Sequence, residues 1–359
     1  MSNDFYKLYE ELDSYDIVEG LNQLGFNFSD KRITDYHFEP TKENVNVKIR
    51  YSGELLKFKD ITKEIYEELV NLILLQTGKD IINDTKNTDG SFEYNGLNFR
   101  VSFMKSVNGV SLVIRRLQNI NEVFVNIPKD LEQKILKSIQ SKAKVTIFSG
   151  PTGAGKSTTM AYIINKIKND YKVHSIENPV EYINENIIQI NIEQEDQADI
   201  LKYILRQDPE IIQIGEVRED NFARLLFESA TTGHSLVASL HSPNVLKALK
   251  RLNSLGITED QIKNNCDLII NQRLIPKICN NCEGKGCKNC FFTGQDGYLT
   301  VFEYLQIDDQ IFDIINSGRD YLINSNKYYS FEDQLSELYN KKKITYESFI
   351  NIKDSFKGW

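Results

Sequence analysis

Apolar and polar positions follow two different patterns along the chain. Up to about residue 120, segments with a period of two are mixed with segments of helical period, whereas after residue 130 apolar strands alternate with helices. Alternation of strands and helices is typical of a parallel sheet. We therefore predict an α/β protein with a small α+β domain over residues 1–120, a linker over 121–130 and a larger domain over 131–359.

The small domain is predicted to contain helices and a sheet with one polar face. Helical periodicity predicts one or two amphipathic helices over residues 1–30 and another over 61–73, and residues 80–91 have the composition of a polar loop. Strict alternation predicts strands over 45–51, 92–94, 97–103 and 110–114. The period of two places Arg100 and Arg115 opposite the apolar face of their strands.

Four short apolar strands of the larger domain each end in residues that can carry chemistry. The strands cover 145–149, 172–176, 211–214 and 236–240, and they lead into a glycine-rich loop, Glu177, Glu216 and His241. Because ligands of such sheets bind outside the carboxyl ends of the strands, we predict that these stretches meet at one crevice. Beyond residue 303 the pattern predicts polar helices, which we assign to 306–359.

The loop after the first of these strands matches the pattern of a phosphate-binding P-loop. Residues 150–157 have the sequence GPTGAGKS, in which glycines let the backbone turn its N–H groups towards phosphate oxygens. Lys156 reaches the outer phosphates and the Ser157 hydroxyl is a ligand for Mg²⁺. The strand before the loop and the helical segment after it argue against a chance glycine-rich turn. We predict nucleoside triphosphate binding by Gly150, Pro151, Thr152, Gly153, Ala154, Gly155, Lys156, Ser157 and Thr158.

Hydrolysis of a phosphoanhydride also needs a carboxylate that orients or deprotonates water. Glu177 is the first candidate for this general base, and Glu216, at the Walker-B position after a buried strand, suits a water-mediated role at Mg²⁺. The two roles could be exchanged, and either side chain could instead be an ordinary carboxylate of a surface loop. We predict that the catalytic set is Lys156, Glu177 and Glu216.

Three histidines lie near the predicted crevice strands. His241 follows a strand and could sense the γ-phosphate, although a lone histidine is as often structural. His234 follows a glycine and could brace a turn. His174 lies inside a strand and is predicted to belong to the core.

Four of the five cysteines form two C-x-x-C pairs between residues 279 and 290. This spacing is typical of a structural Zn²⁺ site, in which four thiolates leave no coordination position open for chemistry. An iron–sulfur cluster is less favoured than zinc, and disulfides are less favoured still, because thiols stay reduced in the cytoplasm. We predict a zinc loop at 279–290, with Cys266 buried apart from it, and the metal ligands Cys279, Cys282, Cys287 and Cys290.

The charge of the chain argues against some functions. The net charge is −8 and the pI is near 5.3, which disfavours a protein whose main role is to coat nucleic acid or an anionic membrane. The N-terminus has no apolar h-region, and no apolar run approaches the roughly 20 residues of a transmembrane helix. We expect a cytoplasmic protein without sequence-specific nucleic-acid binding, held at the inner face of the cytoplasmic membrane only through partners.

These motifs, in this order and spacing, resemble those of the ATPases that serve type II secretion, type IV pilus assembly and the competence pseudopilus. The resemblance extends from about residue 33 to residue 305. Besides the P-loop and the four cysteines it rests on ENPVE at 177–181, LRQDP at 205–209, GEVR at 215–218, TGH at 232–234 and QRL at 272–274.

The resemblance implies a RecA-like motor domain and a PAS-like N-terminal domain, assembled as a homo-hexamer that hydrolyses ATP with Mg²⁺. It also implies that Arg100, Arg115 and Arg218 contribute to nucleotide binding. The partners it implies are an inner-membrane platform protein and, indirectly, pilin or pseudopilin subunits.

Within this family the four-cysteine loop is a feature of assembly and secretion motors rather than of retraction motors, so it favours assembly. The short N-terminal part resembles the competence type. The chain departs from the family pattern at Asn178, where Asp is usual, and at Ser242-Pro243, where Thr is usual. Pro276 and Tyr298 stand where arginines are common. Since no departure falls on the catalytic set, we expect an active enzyme.

The sequence therefore predicts a hexameric cytoplasmic ATPase that drives assembly of a type IV pilus or of a competence or type II secretion pseudopilus. Three alternatives remain. They are a RecA-like nucleic-acid translocase, a pilus retraction ATPase, and a scaffold that binds ATP without hydrolysing it.

Overall fold

The computed structural model describes residues 30, 32–78, 87–94, 97–117, 119–192, 195–316 and 327–355. The helices predicted over 1–30 lie outside the described residues, except for residue 30. The chain divides into two compact units, Met1–Asn119 and Ile120–Trp359.

The described part of the first unit is a six-stranded antiparallel sheet with one helix. The strand order is β3-β2-β1-β6-β5-β4. The helix begins after Thr62, whose hydroxyl oxygen accepts a hydrogen bond from the Ile65 N–H, an N-cap typical of helix starts. The elements are β1 (Ile33–Pro40), β2 (Val45–Tyr51), β3 (Glu54–Ile61), α1 (Lys63–Gln76), β4 (Thr88–Tyr94), β5 (Leu97–Ser106) and β6 (Gly109–Leu117).

Two parts of this unit differ from the prediction. The sequence pattern does not predict β1, because the register shifts between Ile33 and Asp35 and breaks the alternation. Residues 88–91, expected in a loop, belong to β4, which pairs with β5 at the end of the sheet. That pairing uses backbone groups, so the polar side chains of 88–91 give no signal of it.

The second unit is built around a mixed sheet of eight described strands. Short 3-10 helices cover Ile120–Glu122 and Lys288–Cys290. The strands are β7 (Val145–Ser149), β8 (Val173–Glu177), β9 (Ile188–Asn191), β10 (Ile211–Ile214), β11 (Ser235–Leu240), β12 (Cys266–Ile278), β13 (Gln295–Gln306) and β14 (Tyr328–Tyr329). The helices are α2 (Lys129–Gln140), α3 (Lys156–Ile167), α4 (Gln197–Leu205), α5 (Asp220–Thr231), α6 (Val245–Ser254), α7 (Glu259–Asn265), α8 (Asp309–Asn316), α9 (Phe331–Asn340) and α10 (Tyr346–Ser355).

The order of this sheet is β14-β13-β12-β7-β11-β10-β8-β9. The strands from β12 to β9 run parallel, whereas β13 and β14 are antiparallel to their neighbours. The four predicted strands are parallel, as expected, and the antiparallel strands β13 and β14 extend the sheet on one side. The expectation of helices throughout 306–359 is wrong in part, because Gln306 ends β13 and Tyr328 begins β14.

Helices cover both faces of the central strands, which is why β7, β8, β10 and β11 are buried along their length. One apolar cluster packs α3 against Phe148 and Val237, and another packs α5 against Ile147 and Ile214. The carboxyl ends of these four parallel strands meet at one edge of the sheet. None of the described helices combines the length and apolar character needed to cross a bilayer.

Candidate active site and metal centre

The P-loop connects β7 to α3. Gly150, Gly153 and Gly155 have positive φ angles of 150°, 74° and 81°. At Gly150 a Cβ would lie 2.7 Å from the carbonyl oxygen of Gln272, so only glycine fits there. The helix that starts at Lys156 presents its N-terminal N–H groups at the loop, which is the arrangement that binds phosphate.

Lys156 is buried at the base of this loop. Its Nζ donates to the carbonyl oxygens of Gly150 at 3.0 Å and Pro151 at 3.1 Å. Burial lowers the pKa of Lys156, and the negative charge of Glu216 opposes this effect. The lysine thus lies close enough to Glu216 for their charges to interact.

Two amides on β12 hold the P-loop in place. Gln272 Nε2 donates to the Ala154 carbonyl oxygen at 2.6 Å. Asn271 Nδ2 donates to Ser149 Oγ at 2.8 Å and to the Ser242 carbonyl oxygen at 2.9 Å. The sequence pattern does not predict a role for these amides, although Gln272 belongs to the QRL stretch that supports the resemblance.

Glu216, Arg218 and His241 lie together at the ends of β10 and β11. Glu216 Oε2 is 2.7 Å from Arg218 Nη2, and Glu216 Oε1 is 3.1 Å from His241 Nε2. Burial raises the pKa of Glu216, but the hydrogen bond from Arg218 and nearby positive charges outweigh it and hold the pKa below its usual value. This carboxylate is therefore ionised at neutral pH.

Glu177 ends the neighbouring strand β8 and is only 7% exposed. Its Oε1 accepts hydrogen bonds from Ser175 Oγ at 2.6 Å and Gln189 Nε2 at 3.1 Å. Burial raises the pKa of the Glu177 carboxyl in spite of these two donors and of a hydrogen bond from the Glu181 backbone N–H. A carboxylate with a raised pKa in a polar pocket is suited to accept a proton near neutral pH.

The two glutamates are adjacent but differ in environment. Gly215, the residue before Glu216, donates its N–H to the Ile176 carbonyl oxygen at 2.8 Å. A Cβ on Gly215 would lie 3.4 Å from the Cα of Glu177. The lowered pKa of Glu216 keeps this carboxylate charged at neutral pH, whereas the raised pKa of Glu177 suits that carboxylate to accept a proton.

Two predicted nucleotide ligands lie in the first unit. Arg100 on β5 and Arg115 on β6 are opposite each other in the sheet register. Arg115 Nε is 2.6 Å from Asp35 Oδ1, and Arg100 Nη2 is 3.5 Å from Asp89 Oδ2. Their place on the polar face agrees with the pattern, and their role at a nucleotide stays a prediction.

His234 and His174 have structural rather than catalytic roles. His234 Nδ1 lies 3.0 Å from Thr232 Oγ1 and 3.2 Å from the Ser229 carbonyl oxygen, so it braces the turn after α5. His174 is buried within β8, as the pattern predicts.

The four clustered cysteines lie in the loop between β12 and β13. Their Sγ atoms all lie within 4.8 Å of one another, and Cys290 Sγ is 3.8 Å from Cys282 Sγ and 3.7 Å from Cys287 Sγ. A tetrahedral zinc with Zn–S bonds of about 2.3 Å requires sulfur separations of about 3.8 Å. The donor set and its spacing therefore fit Zn²⁺.

Backbone N–H groups prepare these sulfurs to bind a metal. Gly286 N–H donates to Cys282 Sγ at 3.2 Å, and the N–H groups of Cys287 and Gly294 donate to Cys290 Sγ at 3.2 and 3.3 Å. Burial raises the pKa of Cys290, but these hydrogen bonds outweigh it and bring the pKa to about 6. The thiolate, which is the form that binds metal, is thereby favoured.

Glu303 is a further buried carboxyl group, and it contacts the start of α6. Glu303 on β13 accepts from the Val245 N–H and from Tyr328 Oη, both at 3.0 Å. Burial raises its pKa to about 7. Since Val245 begins α6, Glu303 fixes the segment that follows His241. The sequence pattern gave no signal for this contact, because its partners come from distant elements.

Comparisons with known proteins identify relatives among secretion and pilus proteins. A protein transport protein HofB homolog of Haemophilus influenzae is 28% identical over 83% of this chain and 67% of the relative. The type IV pilus assembly ATPase PilB of Thermus thermophilus is 27% identical over 80% of this chain but only 37% of PilB. The type II secretion system protein E of Klebsiella pneumoniae is 25% identical over 88% of this chain and 72% of the relative.

Solved structures share the fold. The ATPase DotB of Legionella pneumophila has a TM-score of 0.70 and 20% identity, with 94% of each chain covered. The pilus retraction motor PilT with bound ADP has a TM-score of 0.68 and 23% identity, covering 95% of this chain and 97% of PilT. These likenesses confirm the predicted α/β fold class. A model of the type II/IV secretion system protein family matches residues 10–349, and this chain belongs to that family of ATPases.

Proposed function

We propose that the chain is a cytoplasmic, hexameric motor that hydrolyses ATP to assemble a type IV pilus or a competence or type II secretion pseudopilus. It acts through an inner-membrane platform protein, to which pilin or pseudopilin subunits are delivered. The observation that carries this proposal is the meeting of the P-loop, Glu177 and Glu216 at one edge of the sheet.

The P-loop residues bind the triphosphate. Backbone N–H groups of 152–158 donate to phosphate oxygens, and Lys156 exchanges its two carbonyl partners for the outer phosphates. Ser157 and Glu216 are the residues that would hold Mg²⁺. When bound, Mg²⁺ neutralises charge on the phosphate oxygens and on the leaving group.

Glu177 serves as the general base. It takes a proton from the attacking water as the water oxygen bonds to the γ-phosphorus and the bond to the ADP oxygen breaks. Glu216 stays ionised, while His241 and Arg218 lie at its two oxygens and respond to the γ-phosphate. Arg100 and Arg115 complete the set of nucleotide ligands in this proposal.

The cysteine loop favours a role in assembling filaments over a role in retracting them. Its four thiols fit a structural Zn²⁺, which would fix a loop that has little apolar packing of its own. Two of the named relatives are a type IV pilus assembly ATPase and a type II secretion protein. The likeness to the retraction motor PilT concerns the fold.

The enzymatic part is tested with the purified full chain. ATP turnover and particle mass are measured for the wild type, Lys156→Ala and the control Lys250→Ala, an exposed lysine on α6. We expect Mg²⁺-dependent turnover by hexamers that Lys156→Ala abolishes and Lys250→Ala retains. Nucleotide binding without turnover would favour the scaffold, and strong stimulation by DNA would favour the translocase.

The assembly role is tested in cells that encode this chain. Replacing it with Glu177→Gln should abolish surface filaments or pseudopilus-dependent transport, whereas the exposed control Glu185→Gln should leave them intact. Accumulation of extra filaments in the Glu177→Gln cells would instead indicate a retraction motor.

A further inference from the structure

We propose that Ser175 and Gln189 are positioning residues that hold the Glu177 carboxylate in the orientation needed to take a proton from water. The proposal rests on the general-base role of Glu177 given above. Neither residue belongs to a motif that the sequence analysis singled out.

Ser175 is placed by the strand itself. It lies two residues before Glu177 on β8, so the two side chains project from the same face of the strand. Ser175 is fully buried, and its hydroxyl donates to Glu177 Oε1 at 2.6 Å. A hydrogen bond from a hydroxyl to an ionised carboxylate is among the stronger ones in proteins.

Gln189 approaches from the neighbouring strand. It lies on β9 opposite Ser175 in the parallel register, and its Nε2 donates to Glu177 Oε1 at 3.1 Å. The same Nε2 donates to the Tyr182 carbonyl oxygen at 2.9 Å, while Oε1 accepts from the Asn184 N–H at 2.8 Å. The Nε2 atom of the amide faces two acceptors and its Oε1 atom faces a donor. Exchanging the positions of Nε2 and Oε1 would therefore lose all three hydrogen bonds.

The two donors converge on a single oxygen of Glu177. Two hydrogen bonds to Oε1 from different strands, together with one to the carboxylate from the Glu181 backbone N–H, fix the plane of the carboxylate. A general base depends on such orientation, because misplacement by about 1 Å can cost on the order of 100-fold in rate. Since both donors are neutral, they orient the carboxylate without cancelling its charge.

Gln189 is also connected to the P-loop helix. Tyr182, whose carbonyl oxygen accepts from Gln189, has its hydroxyl 2.8 Å from Thr158 Oγ1. Thr158 lies in the first turn of α3, directly after Ser157. A hydrogen-bonded path thus runs from α3 to the Glu177 carboxylate, and it fixes the base relative to the loop that holds the phosphates.

The test uses steady-state ATP hydrolysis by the full chain. Ser175→Ala removes the hydroxyl, and Gln189→Met removes the donor without adding a charge beside Glu177. Each is expected to lower kcat about tenfold or more while KM for ATP changes by less than about threefold. Ser175→Thr, which keeps a hydroxyl at this position, should retain most of the wild-type kcat that Ser175→Ala loses.

Matched controls separate this effect from damage to the sheet. Ser235→Ala removes a buried hydroxyl on β11 that donates to the Ile139 carbonyl oxygen, and Gln306→Met removes an amide at the end of β13. Neither position touches Glu177, and both variants should keep the wild-type kcat. Melting curves and particle mass verify that every variant is folded and assembled.

The outcomes distinguish this inference from the proposed function. Wild-type kcat in both Ser175→Ala and Gln189→Met, with Glu177→Gln inactive, would overturn the positioning role and leave the general base in place. A rise in KM with unchanged kcat would also overturn it. Wild-type kcat in Glu177→Gln would instead contradict the proposed role of Glu177 itself.

Discussion

His241 Nε2 lies 3.1 Å from Glu216 Oε1, and this contact joins the ends of two adjacent parallel strands. The other carboxylate oxygen is 2.7 Å from Arg218 Nη2. Each oxygen of Glu216 therefore has a nitrogen atom within about 3 Å, and the hydrogen bond from Arg218 contributes to the lowered pKa of this carboxyl, which burial alone would raise. Glu216 is thus available as an anion close to the P-loop lysine.

Replacing Glu216 with Gln is expected to lower ATP turnover by about 100-fold, because a neutral amide attracts Mg²⁺ and its water far less than a carboxylate does. The Mg²⁺ concentration needed for half-maximal turnover should rise at the same time. Turnover is measured across a Mg²⁺ titration, with the exposed Glu228→Gln on α5 as the control. Equal turnover and Mg²⁺ dependence in Glu216→Gln and Glu228→Gln would contradict this role.

Gln272→Ala is expected to weaken ATP binding about tenfold, because it removes the buried hydrogen bond to the Ala154 carbonyl oxygen and loosens the P-loop. Binding is measured with a fluorescent ATP analogue. Gln334→Ala is the matched control, since its amide bonds the backbone of Phe302 away from the loop. The control should lose stability and keep its affinity. An unchanged affinity in Gln272→Ala would show that the loop holds its shape without this residue.

One zinc ion per chain is expected by elemental analysis of the purified protein, and Cys279→Ser should lose it together with thermal stability. Cys266→Ala is the control, because Cys266 is buried apart from the cluster and should leave the zinc content unchanged. Iron in place of zinc, or no metal at all, would refute the assignment.

The raised pKa of Glu303 is expected to make the free energy of unfolding depend on pH. Burial raises its pKa from 4.5 to about 7 in the folded protein. Between these values Glu303 is protonated in the folded state but ionised in the unfolded state. The contribution of protonated Glu303 to the free energy of unfolding is therefore fully present below pH 4.5 and is lost as the pH rises through 7. The stability of the wild type relative to Glu303→Gln should therefore fall by up to about 3 kcal/mol over this range.

Urea unfolding of both proteins at a series of pH values measures this difference. Glu337→Gln, an exposed position on α9, is the control and should show no comparable trend. A difference between wild type and Glu303→Gln that does not vary with pH would contradict the raised pKa.

The sequence was most informative where local signals are strong. The strands before Gly150, Glu177, Glu216 and His241 are buried on both faces, so each forms a short apolar run that the pattern detects. Strand direction then requires their carboxyl ends to meet at one edge, and the structure has them there.

Contacts that depend on register between distant strands could not be predicted. Gln189 reaches Glu177 because β9 pairs with β8, and nothing near residue 189 indicates that pairing. The long strands β12 and β13 pair across the cysteine loop, and their mixed polar and apolar residues give no clear period. The partners of Glu303 were missed for the same reason.

In the proposed reaction, Glu177 takes the proton from water at a triphosphate held by the P-loop. Single-turnover hydrolysis of ATP by Glu177→Gln, with ATP binding measured on the same sample, tests this step most directly. We predict ATP affinity near that of the wild type and a hydrolysis rate lower by about 100-fold or more. A wild-type rate of hydrolysis in Glu177→Gln would contradict the account.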